Sequence, residues 1–286
     1  MQQLLRDNGF ESELVYIKSE GDIDLQTPLY AIGVQGIFTR SLDIALLNNR
    51  IDIAVHSMKD VPVELPQGIA QAAVLPRASA RDVFVYKEND AFLADTASHA
   101  TIATSSIRRR AQWLHRYPHH TIDNLRGNVN TRLQKVKDNN WQGAIFAAAG
   151  LDRIQLRPAN CVELDWMLPA PAQGAIMVVC RKDDRYCRDA CFYFNDAPTA
   201  LCVKIERDFL KALLGGCTTP ISALAEMNND TIVFTGNIVS PDGIKKIETT
   251  ATALINDAAG IGISSAAEIL QKGGREITDH IQHAAK

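Results

Sequence analysis

Nothing in the 286-residue chain approaches the ~20 consecutive apolar residues of a membrane-spanning helix, and the mean hydropathy is only −0.09. Met1 to Phe10 lacks the basic-then-apolar pattern of a secretory leader, so the expected compartment is the cytoplasm, with no membrane partner. Cysteine is absent from the first 160 residues, and the six present (Cys161, Cys180, Cys187, Cys191, Cys202 and Cys217) include no CxxC pair. That argues against a zinc ribbon or a disulfide framework and for reduced thiols, with no metal expected. Cys187 and Cys191, one helical turn apart, read as buried helix cysteines rather than ligands. No GxxxxGK[ST] loop occurs, and Gly260-Ile261-Gly262 lacks the third glycine of a dinucleotide fingerprint, which counts against nucleotide binding.

What is present is an ordinary globular composition, 46% hydrophobic and 22% charged, which excludes a disordered chain. A chain of this mass buries about 33,000 Å² on folding, roughly 73% of its extended surface, and divides into two or three domains. Met1 to Asn8 reads as a short helix closed by Gly9, and Glu13 to Ile17 as a strand. Gly36 to Asn49 has helical spacing, and Ile51 to Val55 follows as a buried strand. Ile69–Leu75, Val83–Tyr86, Thr101–Ala103, Thr121–Asn124, Ala144–Ala147 and Ala175–Cys180 read as further strands. Ser105–Tyr117, Val129–Asn139 and Ala197–Leu214 read as helices. Such alternation predicts mostly parallel sheets covered on both faces. In the last seventy residues Ile232–Val239 and Lys245–Leu254 flank the turn Pro241-Asp242-Gly243, and a final helix is expected over Ala258–Lys272. The expected fold class is α/β: two α/β lobes and a smaller α+β domain at the carboxyl end.

The net charge of −3 conceals a concentration. Thr104 to Lys135 holds Arg108, Arg109, Arg110, Arg116, Arg126, Arg132 and Lys135 against Asp123, a net of +6 that leaves −9 for the remainder. Focusing of this kind implies an anionic partner. Thr104-Ser105-Ser106 and Arg126-Gly127-Asn128 both fall where a strand passes into a helix, so amide N–H groups, hydroxyls and arginine forks would face one anion. Arg110 and Arg116 read as a solvated face. Trp113 and Tyr117 are the segment's only aromatics, too few for a base-stacking platform, so nucleic acid is not expected.

Two motifs carry possible chemistry. His56-Ser57-Met58-Lys59-Asp60-Val61-Pro62 puts Lys59 and Asp60 at a strand's carboxyl end, where a lysine can pair an anion and a carboxylate can stabilise a developing cation or move a proton. A solvated loop pair is an equal reading by spacing alone. Leu214-Gly215-Gly216-Cys217-Thr218-Thr219-Pro220 leaves a thiol on an open turn after a helix end, accessible to an electrophile.

Taken together, HSMKDVP (56–62), TSSIRR (104–109), LRGNVNTR (125–132), AAGLDR (148–153), AQGA (172–175) and GGCTTPI (215–221) resemble, in order and spacing, the porphobilinogen deaminase (hydroxymethylbilane synthase) family, from about Ser12 to the end. The resemblance implies two lobes like type II periplasmic binding proteins, formed here by 1–76 with 175–194 and by 80–170, around a cleft, with a cofactor-carrying domain over 197–286. It implies a monomer that joins four porphobilinogen molecules, releasing ammonia, on a covalent dipyrromethane cofactor held through a thioether at Cys217. Asp60 would be catalytic. Lys59, Thr104, Ser106, Arg108, Arg109, Arg126, Arg132, Arg153 and Gln173 would bind the carboxylates of cofactor and substrate. The competing class is a non-catalytic carboxylate receptor of the same two-lobe fold, which gives no reason for a reactive thiol.

Three departures from the family pattern stand out. The family opens with a strand bearing an Arg-x-Ser motif, and here the reading begins inside the following helix. Ala31, Val34 and Gln35 stand where relatives carry lysines and an extra glycine. Pro171-Ala172-Gln173 lacks a glycine commonly found before the glutamine.

Overall fold

A computed structural model describes residues 1–18, 39–213 and 219–284. The chain starts with α1 (Gln2–Asp7), which ends at Gly9 with φ 84°, and continues through α2 (Arg40–Leu47), β1 (Ile53–Ser57) and β2 (Ile69–Val74). It then crosses to a second lobe: β3 (Asp82–Tyr86), β4 (Thr101–Ala103), α3 (Ile107–Arg116), β5 (Thr121–Asp123), α4 (Val129–Asp138), β6 (Gly143–Ala147), α5 (Ala148–Arg153) and β7 (Cys161–Glu163). A return crossing leads to β8 (Ile176–Arg181) and α6 (Arg185–Phe192) of the first lobe. Next come α7 (Ala197–Ala212), β9 (Ile221–Asn228), β10 (Thr231–Val239), β11 (Lys246–Leu254), α8 (Ile261–Ile269) and α9 (Arg275–Ala284). No helix among the described residues is long and apolar enough to cross a membrane.

Alternation along the strands places the cores. In the first lobe, with strand order β1-β8-β2, Met177 and Val179 face Leu46, Ile51 and Met58, while Val178 faces Leu5, Ala190 and Cys191 under α1 and α6. The second lobe has order β5-β4-β6-β3-β7. Val83, Val85, Ala144 and Phe146 look toward α4, and Phe84, Ile102 and Ile145 toward Trp113 and Tyr117 of α3. The third core lies between the antiparallel sheet β11-β10-β9 and helices α7 and α8, around Ile205, Phe209, Phe234 and Ile269. Helix α7 also serves the first lobe, where its Val203 is fully buried.

Several expectations need correction. Glu13–Ile17 forms no strand: it joins no sheet among the described residues, and Leu14, Val15 and Tyr16 are exposed, Tyr16 by 87%. The described sheets are not mostly parallel. Of the described pairings only β4 with β5 and β4 with β6 are parallel. The reason is the double crossing: β8 returns from the other lobe and enters between β1 and β2 in the opposite sense, outside the βαβ rule on which the parallel expectation rests. The expected final helix continues from α8 as far as Gly273, whose φ of 98° breaks the path, and α9, which was not expected, starts anew beyond it. Strands β7 and β9 were not anticipated. Cys187 and Cys191 are buried in α6 as read, and burial pushes their thiols up, to about 12 and about 11. The segment around Ala31–Gln35 and the turn carrying Cys217 lie outside the described residues.

The two crossings run side by side. Ala78 N–H donates to Gly174 O (3.2 Å), and a Cβ on Gly174 would lie 2.5 Å from Ala78 O, so only glycine fits there. Ala172 takes φ 61°, a left-handed conformation costing roughly 1 kcal/mol or more for an L side chain. Its N–H donates to Glu206 Oε2 (2.6 Å). Glu206 is wholly buried and also receives Arg77 (2.5 Å) and the Ala225 amide (2.8 Å), while Arg77 Nε donates to Gln173 O (2.9 Å). One ion pair thereby ties both crossings to the third domain. Replacing Arg77 with leucine strands a buried carboxylate, and urea denaturation is expected to show a loss of about 3–5 kcal/mol. A loss below about 0.5 kcal/mol would mean that the pair behaves as a solvated one.

Candidate active site

Strand β1 delivers Ser57 to its carboxyl end, where the chain tightens into a single 3-10 turn, Met58–Asp60. Met58 anchors the turn: its side chain is buried in the first-lobe core and its N–H donates to Ala175 O (3.0 Å) at the return crossing. Lys59 and Asp60 are then held half-buried on the second-lobe side. Burial lowers the Lys59 ammonium to about 8, with Arg109 and Arg108 acting in the same sense and Asp60 and Asp82 against it. Burial likewise raises the Asp60 carboxyl above its ordinary value, partly offset by Lys59, Arg132, Arg109 and a hydrogen bond from Ser57. The pair is therefore not a solvated loop pair.

Opposite lie the two strand-to-helix turns of the second lobe. Ser105 Oγ accepts from Leu125 N–H (2.9 Å) and donates to Leu125 O (2.6 Å), which locks the turns together. Ser106 caps α3 by accepting from Arg109 N–H (3.4 Å), and Thr104 Oγ1 accepts from Ser106 N–H (3.2 Å), so both hydroxyls serve the turn. Asn128 caps α4 through Thr131 N–H (2.9 Å), after Gly127 at φ 112°. Arg132 Nε donates to Gly127 O (2.6 Å), and burial, with Arg109 and Arg126 nearby, pushes its guanidinium down to about 10. Arg126 is buried, and its carbonyl accepts from Lys135 Nζ (3.1 Å).

A cavity of about 180 Å³ lies between the lobes, and Lys59, Arg109, Arg132, Arg153 and Gln173 line it together with Ser57. Of the residues singled out from sequence, these five converge. Arg108 turns away: it donates to Asp82 (2.6 Å) and Leu168 O (2.7 Å). Thr104, Ser106 and Arg126 stand behind the lining, in the turns that set it. Arg110 is exposed, and Arg116 lies 4.9 Å from the Trp166 ring, consistent with a solvated face.

Asp82 is the residue the sequence did not reveal. It is fully buried at the start of β3 and accepts from Arg108, from Arg109 (2.7 and 3.1 Å) and from Gln173 Nε2 (2.9 Å). Burial would raise its carboxyl, yet the two guanidiniums overcome this and hold it below the usual carboxylate range. The amide of Gln173, fixed by Asp82 and by Ala80 O (2.7 Å), has to turn its oxygen to Lys59 Nζ (3.2 Å). Arg109 gives three of its five N–H groups to Asp82 and Ile145 O and keeps two for the cavity. Nothing in an Arg81-Asp82 dipeptide after a loop distinguishes it from a solvated pair.

The family profile described as "Porphobilinogen deaminase, dipyromethane cofactor binding domain" matches residues 1–189, and "Porphobilinogen deaminase, C-terminal domain" matches 200–271. The chain is similar to a porphobilinogen deaminase of Acidithiobacillus ferrooxidans, 38% identical over 280 residues, covering 96% of this chain and 90% of that one. It is also similar to the chloroplastic porphobilinogen deaminase of Pisum sativum, 41% identical over 268 residues, covering 92% and 72%. The chain belongs to the porphobilinogen deaminase family. Among solved structures it is similar to an ancestral cationic amino acid solute-binding protein, 12% identical, with a TM-score of 0.40 over 68% of this chain and 75% of that one.

Every lining residue of the cavity falls within the part of the chain that matches the family's cofactor-binding domain. Its donor set fits a group rich in carboxylates: four cationic side chains, a hydroxyl and an amide around one space. Because Lys59 is charged only below about 8, the affinity for a small dicarboxylate measured by calorimetry is expected to fall about tenfold as pH rises from 6.5 to 9.5. In Lys59→Arg the fall should vanish; equal wild-type affinity at both pH values would remove Lys59 from the anion site.

Proposed function

We propose that this chain is a hydroxymethylbilane synthase: it joins four porphobilinogen molecules head to tail, releasing ammonia, as a step of tetrapyrrole synthesis. The observation that carries the reading is the convergence of Lys59, Arg109, Arg132 and Arg153 on one cavity beside the half-buried Asp60. Cys217 would hold a dipyrromethane through a thioether, and that group, when bound, would provide the free pyrrole position to which each new ring is joined.

The protein's own residues have separable tasks. Arg109, Arg132, Arg153 and Lys59 bind acetate and propionate groups, and their forks set ring orientation. Thr104, Ser106, Arg108 and Arg126 hold the turns from which that set projects, and Gln173 aims Lys59. At each addition the C–N bond of the substrate's aminomethyl group breaks, ammonia departs, a C–C bond replaces it and one proton is lost. Positive charge develops on the pyrrole as ammonia leaves. Asp60, whose ionised form is kept accessible by Lys59 and Arg132 despite burial, is placed to stabilise that charge and to hold the proton.

On this reading 1–76 with 175–194 form domain one, 80–170 domain two and 197–286 the cofactor-carrying domain. The protein acts as a cytoplasmic monomer with neither nucleic acid nor membrane as partner. Burial of Trp113 and Tyr117 takes the aromatics of the basic segment out of reach of a stacking base, which supports the reading of that segment as a carboxylate site.

Intact-mass analysis with Ehrlich's reagent should find a dipyrrole adduct that Cys217→Ala abolishes; an unmodified Cys217 in protein that turns over would overturn the attachment. Asp60→Asn is expected to keep substrate binding while losing at least about 100-fold in kcat. Near-normal turnover in that variant would refute the role given to Asp60.

A further inference from the structure

Helix α7 presents two stripes. Cys202, Ile205 and Phe209 pack into the third-domain core, whereas Val203, Arg207 and Lys211, spaced by four, face the first lobe. Val203 is buried in the first-lobe core, and Lys211 meets Glu64 (2.9 Å) in an exposed pair that contributes little. Between them, Arg207 reaches the loop after β1. Its Nη1 donates to Val61 O (2.9 Å) and, at longer range, to Met58 O (3.4 Å), and its Nη2 donates to Pro62 O (2.5 Å).

Those three carbonyls bracket Lys59 and Asp60. The turn itself is closed by one backbone bond, Val61 N–H to Met58 O (3.2 Å), and is fastened to the return crossing by Met58 N–H. A single 3-10 bond holds a turn weakly. The guanidinium fork adds contacts to carbonyls on both sides of the two functional residues, and it comes from the third domain rather than from the lobe to which the turn belongs. Val63, just beyond, also packs on the third-domain core. The neighbouring Glu206 fastens the same helix to both crossings. The thiol position, Cys217, follows five residues after the end of α7.

We propose that Arg207 is a positioning residue: its grip on the Met58, Val61 and Pro62 carbonyls sets the Lys59–Asp60 turn in register with the helix that leads into the cofactor-bearing segment. The catalytic half of this statement rests on the function proposed above. Arg207 does not line the cavity. It acts through the turn, so its loss alters where Lys59 and Asp60 sit and how dry they are, not the number of groups available to bind carboxylates.

The test uses the purified full chain with Arg207→Gln, and with Arg207→Lys as a second variant that keeps the charge but not the planar fork. Hydrogen exchange followed by mass spectrometry is expected to show residues 57–63 exchanging at least about tenfold faster in Arg207→Gln, with the β10 amides unchanged. The pH midpoint for dicarboxylate binding, set by Lys59, should move upward from near 8 by about half a unit or more as that amine becomes hydrated. Turnover should fall about 10- to 100-fold with KM little altered, and Arg207→Lys should lie between. Unchanged exchange at 57–63 together with an unshifted midpoint, in either folded variant, overturns the proposal. Exchange and midpoint are both read without turnover, so a wild-type chain that binds dicarboxylate but makes no product would sink the catalytic reading while leaving the positioning role standing.

Discussion

Asp82 accepts hydrogen bonds from Arg108, Arg109 and Gln173 in a place with no access to water. Two adjacent guanidiniums and a lysine could not share that volume without it, because their mutual repulsion grows as solvent is excluded. The buried carboxylate makes their proximity tolerable, and since it satisfies only some of the Arg109 donors it leaves that guanidinium part of the cavity lining. It also fixes the Gln173 amide, and through it Lys59. Orientation of two of the four cationic lining groups, Arg109 and Lys59, thus traces to one acid at the start of β3.

Around that centre the fold supplies convergence. The chain crosses between lobes twice, and both crossings meet at the Arg77–Glu206 pair. Glu206 belongs to α7, whose buried side chains are divided between the first lobe and the third domain. Cleft, crossings and third domain are therefore mechanically joined through one helix. Its consecutive residues Glu206 and Arg207 address the crossings and the Lys59–Asp60 turn respectively. Left-handed Ala172 at this junction is a local strain, held in place by the hydrogen bond from its N–H to Glu206.

Much of this was legible beforehand, for physical reasons. Helices α3, α4 and α7 and strands β3, β4 and β10 announce themselves by apolar period and by the order of strand and helix along the chain. The concentration of arginines between Thr104 and Lys135 points to an anion because charges so close together need a partner. Strand direction was not legible: β8 returns from another lobe, and local pattern carries no record of that. Glu13–Ile17 has strand composition but joins no sheet among the described residues. Strand formation is a property of pairs.

By itself, then, the sequence determined most of the helices and strands, the concentration of positive charge that points to an anion, and which family's motifs are present, since these rest on neighbouring residues and on order along the chain. Only the tertiary structure decided that Arg108 serves Asp82 while Arg109 lines the cavity, though both come from one helix turn. Only it brought Asp82 and Arg207 into the account and joined Asp82 to Gln173. Asp82 and Gln173 lie 91 residues apart, and Arg207 reaches Met58 across 149. Contacts of that kind depend on how the lobes and α7 pack, which no local pattern encodes.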